Sequence, residues 1–431
     1  MLANKEYKES GVVWLGKLPA HWDVTNYRRL FCRRKEYDDN PDKQVLSLTI
    51  EGVKRKNENF GKMAEDFTGH QIVRKDDLVF TPRDFDATPI LSGIAPCDGC
   101  ISNLYFVLYP RTPDIDVNFY NYFMWGVKWG GDIWKKLSYG MRFSYNYDQF
   151  CALPAIKIPL KEQKAIANYL DKECAQIDNI VKKQRNIIEK LKEYKKSVIT
   201  EAVTKGLNPN AEMKDSGIEW VGDVPADWEV RKMKTLGVFS SSGIDKTLNP
   251  NEPTVRIINY TDVYGNGTYI LTEKKYMVVS APAQKIKENL VKKGDLIFTP
   301  SSETIEDIGL SALVDVDLEN TAFSYHVLRF VFNEKFDHRY KKYLCNNHFV
   351  LNWFSSHAKG TIRQTLSRDI FKSCLVFVPP LSEQSAIADH LDQKCTEIDS
   401  VIEKRGKMID LLTEYKKSLI YECVTGKKEV A

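Results

Sequence analysis

Two kinds of hydrophobic pattern alternate along the chain. Between residues 161 and 205 apolar side chains recur every three or four positions without Gly or Pro, and the same spacing returns between 382 and 425 with one glycine, Gly406. That period is the signature of a helix with one apolar face. Each run follows a break, at Pro159 and at Pro379-Pro380. A heptad laid on the first run puts Ile177, Ile180, Gln184, Ile187, Leu191, Tyr194 and Val198 on one seam. The second gives Ile398, Val401, Arg405, Met408, Leu412, Tyr415 and Leu419. Seams that match, with the polar exception in the same place, predict that the two helices pack antiparallel and that the polar position sets their register. Ser382 is expected to cap the second helix, and Gly406 to weaken its middle by about 1 kcal/mol and mark a kink.

The stretches ahead of the helices read differently. Short runs rich in Val, Ile, Phe and Tyr, bounded by turn residues, predict strands at Gln44–Ile50, Leu78–Thr81 and Leu104–Tyr109, then at Val255–Asn259, Leu296–Thr299 and Val327–Phe332. Aromatic helices are expected over Asn118–Trp134 and His338–Phe354. The fold class is therefore α+β. Two mixed α/β domains, 1–160 and 206–380, stand in tandem repeat, separated by two long helices, 161–205 and 381–431, that form an antiparallel coiled coil.

The repeat is visible residue by residue. Ser10-Gly-Val-Val-Trp14-Leu-Gly16-Lys-Leu-Pro19-Ala-His-Trp22 returns as Ser216-Gly-Ile-Glu-Trp220-Val-Gly222-Asp-Val-Pro225-Ala-Asp-Trp228. Asp77-Leu-Val-Phe80-Thr-Pro82 returns as Asp295-Leu-Ile-Phe298-Thr-Pro300. Glu162-Gln163-Lys-Ala-Ile-Ala167 returns as Glu383-Gln384-Ser-Ala-Ile-Ala388, and Glu193-Tyr-Lys-Lys-Ser197 as Glu414-Tyr-Lys-Lys-Ser418. The tryptophans kept in both copies are expected in the core. Residues 32–150 and 238–370 share little beyond the Phe-Thr-Pro strand, so one scaffold carries two different interiors.

Composition narrows the class without naming it. Hydrophobic residues make up 43% and charged residues 28%, as in ordinary globular proteins. No apolar run approaches the roughly 18 residues that span a bilayer. Nine scattered cysteines show no framework spacing and point to free thiols in a cytoplasmic protein. Net charge is +2 over residues 1–160, +4 over 161–205, zero over 206–380 and −2 over 381–431, so any nucleic acid would be held by local patches. No phosphate-cradling glycine loop or dinucleotide turn occurs. Cys97-Asp-Gly-Cys100 is a single pair where a zinc site needs four ligands, and it is expected to form a surface turn. Cys174 and Cys395 repeat on the long helices and read as small core residues. Neither a catalytic residue nor a metal ligand stands out.

Candidate contacts to nucleic acid are local. Tyr139-Gly-Met-Arg142-Phe-Ser-Tyr145-Asn146 and Lys359-Gly-Thr-Ile-Arg363-Gln364 hold equivalent places before the last strand of each domain. Glycine admits a close backbone approach, while Arg, Asn and Gln pair with base edges. Further candidates are the loop Lys54, Arg55, Lys56 and Asn57, the loop holding Tyr260, and the residues after each Phe-Thr-Pro strand, Arg83 and Ser301-Ser302.

The doubled frame Ser-Gly-x-x-Trp-x-Gly-x-x-Pro-x-x-Trp, the doubled Glu-Gln-x-Ala-Ile-Ala helix start and the doubled Glu-Tyr-Lys-Lys-Ser helix end resemble the specificity subunits of type I restriction–modification systems. The resemblance covers nearly the whole chain. It implies that each variable domain is a target-recognition domain reading one half of a bipartite, asymmetric site in double-stranded DNA. It also implies that the helices set the spacer and dock two methyltransferase subunits, through which restriction and translocase subunits join. S-adenosylmethionine, ATP and Mg would then be bound by those partners, with no cofactor and no catalysis in this chain and no membrane involved. Three other classes keep a place: a specificity subunit of a related bipartite restriction–methylation system, a fused enzyme of the same type, and a coiled-coil scaffold without a DNA role.

Overall fold

The short apolar runs form strands, and the three-four runs form two long helices. In the computed structural model, described over residues 6–37, 44–56, 69–84, 89–131, 133–138, 143–218 and 221–430, these elements gather into two units. One comprises Met1–Arg185 with Arg405–Ala431, the other Asn186–Lys404.

In the first unit an antiparallel sheet runs in the order Phe31–Arg33, Phe106–Pro110, Leu78–Phe80, Ser92–Ile94. The second unit has the same order in Gly237–Ser241, Leu328–Phe332, Leu296–Phe298, Ser311–Val314, with Ile270–Leu271 added in parallel at the edge. The Phe-Thr-Pro strand lies inside each sheet, and its residues are buried without alternation because both faces are covered. Phe80 meets Trp134 and Phe150 on one side, while Val79 joins Leu46, Val53 and Ile101 on the other. Phe298 and Ile297 divide in the same way. The turn feeding this strand needs a left-handed residue, supplied by Asp76 (φ 68°) in one unit and Gly294 (φ 94°) in the other.

The next residue, Asp77 or Asp295, is buried in both units and bonded differently. Asp77 accepts from Nε and Nη2 of Arg34 at 2.8 and 3.0 Å and from the Arg74 N–H at 2.8 Å. Asp295 accepts from the Lys292 N–H at 2.9 Å and has no such guanidinium fork, and burial raises its pKa.

The expected aromatic helices are shorter than their apolar runs: Val117–Trp129 with Ile133–Lys136, and Lys341–Cys345 with His348–His357. Cys100, expected in a surface turn, is a buried residue of the strand Gly99–Ile101. Trp22 and Trp228 are core residues, Trp14 is half-buried against the core, and Trp220 lies outside the described residues.

The long helices are Leu160–Lys205 and Leu381–Val424, the second continuing through Gly406 without a break. Their first bonds go to proline carbonyls. Pro159 accepts from Glu162 and Gln163, and Pro380 from Glu383 and Gln384. Ser382 therefore sits inside the first turn instead of capping it.

Each unit contains the start of one long helix and the end of the other, running antiparallel. In the first unit Lys416 Nζ lies 2.7 Å from Asp178, and Arg405 Nη1 donates to Gln184 Oε1 at 2.6 Å. In the second, Lys195 Nζ lies 2.7 Å from Asp399. The seam differs from the expected one at every second position. Cys174, Ile177, Val181, Gln184, Ile188, Leu191, Lys195 and Val198 face inward on the first helix. Cys395, Ile398, Ile402, Arg405, Ile409, Leu412, Lys416 and Leu419 do so on the second. Ile180, Tyr194, Val401, Met408 and Tyr415, expected in the seam, are exposed, and Ile187 shares a half-buried edge with Ile188. The physical reason is that a seam alternates steps of three and four. Starting from Ile177, the step of four (Val181) is taken before the step of three (Gln184).

Two substitution pairs test this description. Val181→Gln buries an unpaired amide and should cost about 2 kcal/mol in urea unfolding, whereas Ile180→Gln should stay within about 0.5 kcal/mol. Asp77→Asn removes the buried carboxylate that forks with Arg34, leaving only the exposed Glu36 at 3.0 Å as countercharge, and should cost about 3 kcal/mol. Asp295→Asn should cost less than about 1 kcal/mol.

Candidate nucleic-acid interface

Three stretches far apart in sequence meet in the second unit. Ser301–Ser302, just beyond the Phe-Thr-Pro strand, pairs antiparallel with Gln364–Thr365. The same segment bridges back to Lys359, whose N–H and C=O bond Thr365 at 3.0 and 2.8 Å, and Leu366 is anchored to the Pro300 carbonyl at 2.8 Å. The result is a hairpin. Its turn depends on Gly360, which has φ +135° and whose missing Cβ would lie 2.0 Å from the Arg363 carbonyl oxygen. Gln364 donates to the Gly360 carbonyl at 2.9 Å, closing the hairpin from the side.

The helical turn Tyr260–Val263 brings the third stretch. Tyr260 stacks on Tyr264 at 5.1 Å, its hydroxyl donates to buried Ser302 at 3.4 Å, and the Arg363 guanidinium lies 5.9 Å above its ring. Tyr264 donates to Asp307 at 3.1 Å. The rings of Tyr325 and His326 lie tilted against each other nearby, 3.8 Å between centroids. Burial lowers the His326 pKa, and the positive charges of Lys246 and Arg363 lower it further, against the opposing pull of Asp245.

Six of the sequence candidates thus meet on one face: Tyr260, Ser301, Ser302, Lys359, Arg363 and Gln364. Lys359 and Arg363 are exposed, while Ser302 and Gln364 hold the loops together. Tyr264, Tyr325, His326 and Lys246 share the face and were not singled out from the sequence. Only the i, i+4 spacing of Tyr260 and Tyr264 offered a signal.

In the first unit the equivalents are more scattered. Lys54 and Arg55 lie exposed on the strand Gly52–Arg55, Lys54 paired with Glu51, and the Lys56 N–H bonds the Val45 carbonyl at 2.8 Å. Arg83 is half-buried. Asn57 and Arg142 lie outside the described residues. Tyr145 and Asn146 take structural roles in the described fold. The Tyr145 N–H bonds the Pro82 carbonyl at 2.8 Å, as Leu366 does with Pro300, and its hydroxyl donates to the Trp134 carbonyl at 2.5 Å in the core. Asn146 caps the helix Tyr147–Ala152 in a reciprocal box with Gln149. One equivalent turn does present unlike side chains. Tyr105 and Val327 both close back on a serine carbonyl, yet the pair before them is Asn103-Leu104, both exposed, in one unit and exposed Tyr325 with half-buried His326 in the other.

Because folding depresses the His326 pKa, its neutral form is favoured in the folded protein. The associated stability is present above about pH 6.5 and declines as pH falls through that value. Proton NMR should give His326 a midpoint below 6.5. His326→Gln should remove this share of the acid sensitivity.

The family model described as type I restriction modification DNA specificity domain matches residues 225–405. The MjaVIII type I specificity subunit of Methanocaldococcus jannaschii is 28% identical over 274 residues, covering 63% of this chain and 61% of that protein. The EcoKI specificity subunit of Escherichia coli is 21% identical over 62% of this chain and 56% of its own length. The aligned region thus spans less than two thirds of either relative. A solved chain from work on the "complex assembly and conformational transition of the type I R-M system" shares the fold. Its TM-score is 0.68 at 12% identity, over 95% of this chain and 99% of that one. Among the described residues no helix is long and apolar enough to cross a membrane. Residues 225–405 thus match the model of a type I restriction modification DNA specificity domain, and the chain is similar to the specificity subunits of type I systems.

Proposed function

We propose that this chain is the sequence-reading, non-catalytic subunit of a type I restriction–modification complex. Each unit reads one half of a bipartite, asymmetric site in double-stranded DNA. The observation that carries this reading is a shared frame presenting unlike side chains, exposed Asn103 and Leu104 in one unit against exposed Tyr325 and half-buried His326 in the other. In the second unit the face combines exposed cations with stacked aromatics, a combination suited to phosphates and base edges. The two long helices, as an antiparallel coiled coil in a tandem-repeat chain, set the spacer between half-sites.

The same helices dock two methyltransferase subunits, which supply S-adenosylmethionine chemistry and link restriction subunits with their ATP and Mg. Apolar side chains left outside the seam support a partner on the helices. Ile180, Met408, Leu411 and Tyr415 are 42, 48, 71 and 51% exposed in the first unit, and Tyr194 and Val401 are 56 and 38% exposed in the second. The similar proteins of Methanocaldococcus jannaschii and Escherichia coli are named type I restriction enzyme specificity subunits, which supports this reading.

Mapping methylated adenines in a host carrying this chain and its methyltransferase partner should yield one split, asymmetric motif. Exchanging residues 238–370 for those of a relative should change one half of it and leave the other. A motif changed in both halves, or in neither, would overturn the assignment of one unit to each half-site.

A further inference from the structure

We infer that Ile362, at the tip of the Lys359–Thr365 hairpin, reads the 5-methyl group of a thymine in the major groove. The inference rests on the second unit being a DNA-reading domain.

Ile362 is 91% exposed, more than any other isoleucine or leucine among the described residues. It is carried on an ordered hairpin. The Lys359–Thr365 backbone bonds close the base, the Gln364 amide braces the side, and Gly360 permits a turn that no side chain at that position would allow. Beneath the hairpin, Leu366 is buried and tied to Pro300. The fold thus holds a branched apolar side chain out in water, where it contributes nothing to the core.

Its surroundings point to the occupant. Lys359 and Arg363 flank it, exposed, and Lys246 adds charge on the same face. Asp245 lies beside Lys246, and Glu303 and Asp307 lie by Tyr264, so the attraction for phosphate is local to Lys359 and Arg363 at the tip. A two-stranded ribbon fits the major groove of duplex DNA. In that groove the one protruding apolar group on a base edge is the thymine methyl. With Arg363 beside it able to address guanine, the tip has one side chain for each chemistry.

The test compares the whole complex carrying wild-type chain, Ile362→Ala or Ile362→Asn. Methylation mapping should show the half-site set by the second unit relaxing at one T·A pair, with the other half-site unchanged. On a duplex bearing the mapped site, replacing that thymine by deoxyuridine should weaken wild-type binding about fourfold and leave Ile362→Ala binding unaffected. Thermal midpoints should be equal, since Ile362 packs on nothing. An identical motif and equal response to deoxyuridine in both proteins overturns the inference. So does a variant that loses affinity for every sequence alike, which would make Ile362 a wedge between base steps. A wild-type complex that marks no sequence overturns the underlying DNA reading instead.

Discussion

The structure depends on a Glu-Gln pair at the start of each long helix. Gln163 is buried, and its amide makes three bonds: it donates to the carbonyls of Asp114 and Ile158 at 2.9 and 2.8 Å and accepts the Asp116 N–H at 2.7 Å. Gln384 repeats two of these, donating to Pro379 at 3.0 Å and accepting from Asp337 at 2.9 Å. Beside them Glu162 and Glu383 accept the indole N–H of Trp22 and Trp228 at 3.0 and 2.7 Å. A buried amide is expensive unless every polar atom finds a partner, and once satisfied it permits one arrangement. In each unit the helix start is therefore keyed to the last strand, to the entry of the aromatic helix and to the tryptophan of the opening loop. Tyr122 with Asp171, and Tyr343 with Asp392, add a second fastening about two turns on.

Along the helices the apolar pattern was legible and its phase was not. Ile180 and Val181, or Ile187 and Ile188, are adjacent apolar pairs, so hydrophobicity alone does not choose between them. At the third place the choice was between Tyr194 and Lys195, and apolar character favours the wrong one. Lys195 and Lys416 sit in the seam because their alkyl stems pack while their ammonium groups reach Asp399 and Asp178 of the opposite helix. The polar exception expected at the centre is present as the bond between Gln184 and Arg405. Its worth was readable from the repeat, whereas the flanking ion pairs depend on which residues face each other.

The candidate site divides in the same way. Loops that carry glycine and cations next to the Phe-Thr-Pro strand were visible in the sequence, and in the second unit the fold brings them together. What the sequence did not carry was their company. Tyr260, Ser302 and Arg363 are distant in the chain, and the pairing of Ser301–Ser302 with Gln364–Thr365, with the Tyr260 hydroxyl bonded to Ser302, makes one face of them. Nor does residue type separate ligand contact from architecture: Tyr145 and Asn146 have the chemistry of a DNA contact and serve as a core hydroxyl and a helix cap.

This division explains how the two copies came to keep one frame and lose their likeness elsewhere. Changing Gln163 would strand the Asp116 N–H and two carbonyls in the interior, a penalty of roughly 1–3 kcal/mol for each unpaired group. Changing Leu104, Tyr325 or Ile362, all exposed, disturbs stability by no more than about 0.5 kcal/mol. The cost of substitution is thus concentrated where the domain meets its helix and almost absent where the loops face outward. A chain built on that gradient can exchange its exposed residues freely while its helix starts, seam and strand order stay constant, and the repeat preserves the residues on the steep side of it.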